Sequence, residues 1–179
     1  MNSVINNLAY KGEVTARLTK ADSSPVTIHN VGYKALWDTL AKAVTGENIS
    51  SDIPKTFNVF NVQRGSNNTI INESACLFHN IPFSGTVCGD TVSTDPNSSC
   101  ARFTAMVTRG DRLAEIRNEA VLRMYSDRRD KNNKPIVLAE VWDTPDEPIK
   151  RTFNSVIDGV NAIYEWKMIF TNFPSISED

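Results

Sequence analysis

Three cysteines and two histidines are the residues of this chain best suited to nucleophilic or metal chemistry. Cys76, Cys88 and Cys100 are evenly spaced, and His79 follows the first of them by three residues. A Cys-x-x-His pair with two further cysteines could bind a tetrahedral zinc ion, but structural zinc sites usually place their last two ligands close together. Eleven residues separate Cys88 from Cys100. The spacing therefore favours free, partly buried thiols, since an odd number of cysteines in a reducing compartment needs no pairing.

Nucleophilic catalysis has little support in the sequence. It requires a nucleophile beside a base that a third group orients, and the one pairing worth considering is Cys88 with His79. A core cysteine and a loop histidine are the simpler interpretation, because a reactive thiol needs a specific electropositive setting. Neither a nucleophile elbow nor a phosphate-binding glycine spacing occurs. We therefore predict that the protein is not an enzyme and has no catalytic, cofactor-binding or metal-binding residues.

An acidic cluster follows one of the predicted strands. Asp143, Asp146 and Glu147 could bind calcium or act as paired carboxylates, but their spacing is not that of a calcium-binding loop. Pro145 and Pro148 alternate with the acids, which favours a rigid, solvated turn.

The tripeptide Arg109-Gly110-Asp111 is one that some cell-surface receptors recognise. Three residues match by chance often, and a Gly-Asp pair after a strand is typical of a turn. We therefore predict a turn at this position.

Composition and charge exclude several classes of protein. The 179 residues indicate one domain, and a formal charge of -2 without a basic block makes nucleic acid an unlikely partner. No apolar run approaches the ~20 residues of a membrane span, so no membrane is expected. The first seven residues lack the features of a secretory signal, which favours synthesis and retention in a cytoplasm or in a particle assembled there.

Alternating hydrophobicity predicts a mainly β protein. The clearest segment, 162–170, places Ala, Tyr, Trp, Met and Phe on one face, and six or seven such strands occur between turn residues. This pattern is typical of an antiparallel β-sandwich or a jelly-roll-like barrel. We predict a single domain over 1–179, which allows an N-terminal arm (1–11) and a C-terminal tail (172–179).

One amphipathic helix is predicted at about residues 33–45. Its apolar residues recur at three- and four-residue spacing, Gly46 is a suitable stop, and Asn30 is a plausible cap. The segments 65–72 and 85–99 are rich in Gly, Asn, Ser and Thr and are interpreted as long loops.

Three segments resemble small structural proteins of tailed bacteriophages. They are His29-Asn30-Val31-Gly32 before the helix, Ala101-Arg102-Phe103-Thr104-Ala105, and the closing segment from Ile157 to Asn172 that contains Tyr164-Glu165-Trp166-Lys167-Met168. The resemblance implies a β-sandwich component of the virion, in the tail, collar or head decoration. It also implies assembly as a homo-oligomer with other virion proteins, and it brings no catalytic residues.

The alternative function is a receptor- or glycan-binding module of a phage appendage. Such a module needs exposed aromatic residues, whereas Trp37, Trp142 and Trp166 all fall on positions predicted to face the core. For that reason the alternative ranks second. For the virion component, loops 66–99 and the segment after residue 172 are the expected contact segments.

Overall fold

The computed structural model describes residues 4–20, 22–76, 80–88 and 98–176. Within these ranges the chain forms ten β-strands, two α-helices and a short 3-10 turn. The strands are β1 (Val4–Leu18), β2 (Val26–Gly32), β3 (Thr56–Arg64), β4 (Ile70–Ala75), β5 (Ile81–Pro82), β6 (Ser84–Val87), β7 (Ser98–Val107), β8 (Glu119–Arg129), β9 (Pro135–Trp142) and β10 (Ala162–Ile176). The helices are α1 (Lys34–Thr45) and α2 (Pro148–Asn154), and the 3-10 turn is Arg109–Asp111.

The strands form one continuous antiparallel path that folds into two facing sheets. Its order is β4-β3-β8-β9-β2-β1-β10-β7-β6, and β5 also pairs with β3. The first sheet contains β2, β1, β10, β7 and β6, and the second contains β2, β9, β8, β3, β4 and β5. Strand β2 belongs to both sheets, because it pairs with β1 up to Asn30 and with β9 at Val31 and Gly32. The predicted mainly β, sandwich-like fold is confirmed.

The core lies between the two sheets, and β10 shows why the sequence pattern predicted it. Tyr164, Trp166 and Met168 on one face are at most 2% exposed, while Glu165 and Lys167 on the other face form ion pairs. Burying a large side chain contributes about 1.5–3 kcal/mol. The core therefore determines the register of β10 strongly, because a slip of one residue would expose the entire apolar set.

Helix α1 was predicted correctly, but its cap was not. The helix ends at Gly46, which adopts a left-handed conformation with φ 77°. Tyr33 is the N-cap and makes no side-chain capping bond, whereas Asn30 lies in β2. Trp37 and Trp142 were also assigned wrongly to the core. Trp37 is 37% exposed, and Trp142 is half-buried outside the core, where its indole N–H donates to Glu140.

Two segments predicted as loops contain strands. Residues 70–72 belong to β4, and residues 85–87 belong to β6. Every residue of both strands is exposed, so neither carries the alternation of a strand with one buried face.

The prediction of three free thiols is wrong. Cys88 and Cys100 form a disulfide, with their Cα atoms 5.1 Å apart, and Cys76 is free and buried. The backbone N–H of Cys88 also donates to the carbonyl of Cys100 at 2.9 Å. Linear spacing was misleading because antiparallel pairing of β6 with β7 brings two distant cysteines side by side. His79 lies outside the described residues, so its position relative to Cys76 is not assigned.

The cysteines lead to a prediction about thiol chemistry. Burial raises the pKa of the Cys76 thiol to about 11, and a buried neutral thiol reacts slowly. We expect no reaction of the native protein with a thiol reagent and one modified thiol per chain after unfolding without reductant. Mass spectrometry with and without reduction checks this, and three thiols in the unreduced protein would contradict the disulfide.

The first and last strands form a ribbon at one end of the first sheet. Strands β1 and β10 pair continuously from Val4↔Ile176 to Leu18↔Ala162. The ladder from β1 to β2 covers only Gly12–Ala16, and the ladder from β10 to β7 extends as far as Thr171. Residues 4–11 and the segment beyond Thr171, which include parts of the proposed arm and tail, thus lie in this ribbon.

Candidate interaction surface

The outer face of the second sheet carries an ordered set of aromatic and charged residues. Cross-strand register sets its rows, because residues directly opposite each other share a face. One row contains Phe60, Val121 and Trp142, and the next contains Asn58, Arg123 and Glu140, with Val31 of β2 opposite Glu140. We call the following residues the aromatic face: Val31, Tyr33, Phe60, Arg64, Arg123 and Trp142.

Arg123 is the centre of the charge network on this face. Its guanidinium binds Glu140 at 2.5 Å and also pairs with both carboxylate oxygens of Glu73. Burial by itself would lower the pKa of Arg123, but the hydrogen bonds that its guanidinium donates to the two carboxylates outweigh burial and raise the pKa. Arg123 is therefore permanently charged and compensated by its neighbours.

Glu140 connects this arginine to two aromatic residues. Its Oε1 accepts a hydrogen bond from the Tyr33 hydroxyl at 2.9 Å and another from the Trp142 indole N–H. Burial raises the pKa of the Tyr33 phenol, and the bond to Glu140 raises it further. Since the side chain of Glu140 is only 8% exposed, these donors replace the water that a buried carboxylate loses.

The arginines also cover aromatic rings. The Arg64 guanidinium carbon lies 4.4 Å from the Trp142 ring centroid, and that of Arg123 lies 4.6 Å from the Phe60 centroid. Both distances are within the range of cation–π attraction. Arg64 is held in place by Glu119, to which its Nε donates at 2.8 Å.

Exposed apolar side chains lie at one side of the aromatic face. Val31 is 65% exposed and Tyr33 is 41% exposed. Trp37 follows on α1 and packs edge-on against Tyr10, with ring centroids 5.5 Å apart. Its exposure removes one of the reasons for ranking a binding module second.

The His29-Asn30-x-Gly32 motif builds the corner at which β2 changes sheets. With its amide oriented to satisfy its neighbours, Asn30 accepts from the Trp166 indole N–H at 2.7 Å and donates to the carbonyl of Gly12 at 3.0 Å. A Cβ on Gly32 would lie only 3.1 Å from the Tyr10 ring. The motif therefore has a structural role, and His29 itself is exposed.

The other predicted candidates have structural roles. Asp143 accepts hydrogen bonds from the backbone N–H groups of Ala120, Ile149 and Lys150, and so ties β8 to the start of α2. The turn predicted at 109–111 is confirmed as a 3-10 turn, in which Asp111 accepts from the N–H of Thr108 at 2.6 Å. Among the described residues, no group of three or more His, Cys, Asp or Glu could hold a metal ion.

Asp52 anchors helix α1, and sequence reasoning missed it. Its carboxylate is 3% exposed and binds Lys42 of α1 at 3.0 Å and Arg128 of β8 at 2.5 Å. Burial by itself would raise the pKa of Asp52, but hydrogen bonds from the two cations outweigh it and lower the pKa below its ordinary 3.8. No periodicity marks a residue whose partners lie on two distant elements.

The lowered pKa of Asp52 leads to a prediction about acid stability. A carboxyl group with a lowered folded pKa stabilises the protein above its unfolded pKa, and this contribution is lost as pH falls through the folded pKa. We expect Asp52→Asn to lower the free energy of unfolding at neutral pH and to flatten its decline below about pH 5. Urea titrations across this range check the prediction, and parallel wild-type and variant curves would contradict it.

Comparison with known proteins identifies no family. No protein-family model, curated protein or solved structure matches the chain. Neither described helix has the length and apolar character needed to cross a membrane.

Proposed function

We propose that this protein is a non-enzymatic structural component of a bacteriophage particle, in the tail, collar or capsid decoration, and that it assembles through protein–protein contacts. The main structural support for this proposal is the aromatic face. Aromatic residues and arginine are enriched in the energetically dominant parts of protein interfaces. Trp142 and Arg64 present these residue types on the second sheet, and Tyr33 does so directly after β2.

The outer face of the first sheet provides an internal comparison. There, Thr15 bonds Thr27 at 2.9 Å, and Glu165 pairs with Arg102 and Lys167. Apart from Met106, which is 51% exposed on this face, these polar contacts are typical of a surface that faces solvent. The contrast between the two outer faces supports the aromatic face as the contact surface.

The buried carboxylates support a non-enzymatic role. Asp52 is bound by two cations, and Glu140 is bound by an arginine, a tyrosine and a tryptophan. A general base must reach a substrate proton, whereas these groups already hold parts of the fold together. The phage assignment draws its support from the three sequence segments that resemble virion proteins.

Quantitative mass spectrometry of purified particles from the source tests the proposal. We expect the chain at a defined copy number. A multiple of six or twelve per particle would indicate the tail or collar, and hundreds of copies would indicate the capsid surface. Absence from clean particles would overturn the virion assignment.

A matched pair of substitutions on β2 tests the aromatic face. Val31→Arg places a charge at the exposed edge of the aromatic face. Thr27→Arg places the same charge on the outer face of the first sheet. Both positions are exposed, so neither change should unfold the chain. We expect only Val31→Arg to reduce incorporation into particles, and equal incorporation would contradict the assignment of this face.

A receptor- or glycan-binding module remains the second candidate, because Tyr33 and Trp37 are both exposed. Aromatic rings on a surface can stack on sugars. Binding of the isolated chain to a glycan array, lost in Trp37→Ala, would favour this function over a purely structural one.

A further inference from the structure

The ribbon of β1 and β10 has two outer edges that differ in their protection. Beyond Thr171, the outer edge of β10 contains Pro174, which cannot donate a backbone hydrogen bond. The outer edge of β1 over residues 4–10 reads Val-Ile-Asn-Asn-Leu-Ala-Tyr, without proline, glycine or charge. Proteins normally protect such edges with charges, proline, bulges or short length.

The strands at the two ends of the sheet path are protected. Strand β4 has a register shift opposite Gln63 and Arg64, which interrupts regular pairing. Strand β6 has only four residues, and the disulfide at Cys88 follows directly after it. Within the part of the chain that the structure describes, residues 4–10 of β1 therefore have an open outer edge that is suited to pairing.

The corner at Asn30 explains why this edge is open. Strand β2 pairs with β1 as far as Gly12↔Asn30 and then turns to β9. Residues 4–11 therefore continue beyond β2 with β10 as their described neighbour. A two-stranded ribbon is marginally stable in water, and three or more strands are needed for independent stability.

We propose that residues 4–11 of β1 pair antiparallel with the same residues of a second copy of this chain, forming a four-stranded sheet across a two-fold axis. This inference rests on the proposed function and names a partner for it. Two-fold pairing gives both copies identical contacts and closes the edge. The uncharged sequence 4–10 also allows antiparallel self-pairing without opposed like charges, which would destabilise it.

Two-fold symmetry restricts the register. In an antiparallel pair about an axis perpendicular to the sheet, one residue lies directly opposite its own copy. Opposed residues have Cβ atoms about 4.5–5.5 Å apart, close enough for a disulfide after small adjustments. If the residue that lies opposite its own copy is Asn6, Asn7, Leu8 or Ala9, most of residues 4–11 are paired.

Light scattering and cysteine cross-linking of the intact chain test the proposal. We expect a concentration-dependent dimer, and we expect disulfide-linked dimers from one of Asn6→Cys, Asn7→Cys, Leu8→Cys and Ala9→Cys under mild oxidation. Thr27→Cys is the matched control, since Thr27 is exposed on β2 opposite Thr15, outside the proposed contact at residues 4–11. It should give no more cross-linking than the wild type.

Each outcome has a defined meaning. A monomer at all concentrations would overturn the proposal, as would a dimer in which none of the four variants cross-links. Replacing both Asn6 and Asn7 with lysine should abolish the dimer. It should not change the melting temperature of the chain, because the described pairing partners of these two residues are in β10 alone. Particle mass spectrometry is independent of these results, so a monomer found in particles would refute self-pairing but not the structural function.

Discussion

Gly12→Ala is expected to be among the most destabilising single-methyl additions in this protein. The added Cβ would overlap the amide of Asn30 and approach the Tyr10 hydroxyl to 2.6 Å. Moving Asn30 would leave the indole N–H of Trp166, a residue that is 1% exposed, without its acceptor. Overpacking and a lost buried hydrogen bond together predict a loss of about 3 kcal/mol in the free energy of unfolding.

Urea denaturation measures this loss, and Gly110→Ala is its matched control. A Cβ on Gly110 would approach the Thr108 hydroxyl oxygen to 3.8 Å, an ordinary contact. We expect the control to change stability by less than about 0.5 kcal/mol. Equal midpoints for the two variants would show that Asn30 does not occupy the space beside Gly12.

Glu140→Ala is the second substitution with a large expected effect. It removes the acceptor of Arg123, Tyr33 and Trp142 at once. Breaking a buried ion pair by removing one partner costs about 3–5 kcal/mol. We expect about 3 kcal/mol, because Arg123 keeps Glu73 as a partner.

Two comparisons separate charge compensation from loss of packing at Glu140. Glu73→Ala removes a carboxylate whose side chain is 33% exposed, so its cost should be nearer 1 kcal/mol. The double variant Arg123→Met, Glu140→Leu leaves no deeply buried charge without a partner, because Glu73, which loses Arg123, is 33% exposed and can be hydrated. This variant should therefore be more stable than Glu140→Ala. A double variant less stable than Glu140→Ala would contradict the role assigned to Glu140.

Local patterns predicted the elements that bury one regular face. The alternation of β10 and the helical spacing of α1 both reflect packing against the core, so their positions could be read from residue types. The exposed strands β4 and β6 have no such face, and they were interpreted as loops. Trp37 was misplaced because helical spacing identifies an apolar stripe without showing how much of it the core covers.

The interaction surface depends on contacts that local patterns do not contain. The donors to Glu140 come from residues 33, 123 and 142, and Cys88 meets Cys100 only when β6 pairs with β7. Such neighbours follow from strand order, which the sequence did not reveal. The sequence marks the corner motif only through a resemblance, because its structural role depends on the contacts of Asn30 with Gly12 and Trp166, which no local pattern contains.

The pairing of β1 with β10 has a consequence for synthesis. Strand β1 cannot form its ladder with β10 until residues 162–176 have been synthesised. At typical translation rates this delay is ~10 s or longer. During that time the uncharged segment 4–10 of β1 is available for wrong pairing. Folding should therefore be slow and prone to aggregation in crowded cells. Chaperone dependence during expression would be the practical sign of this topology.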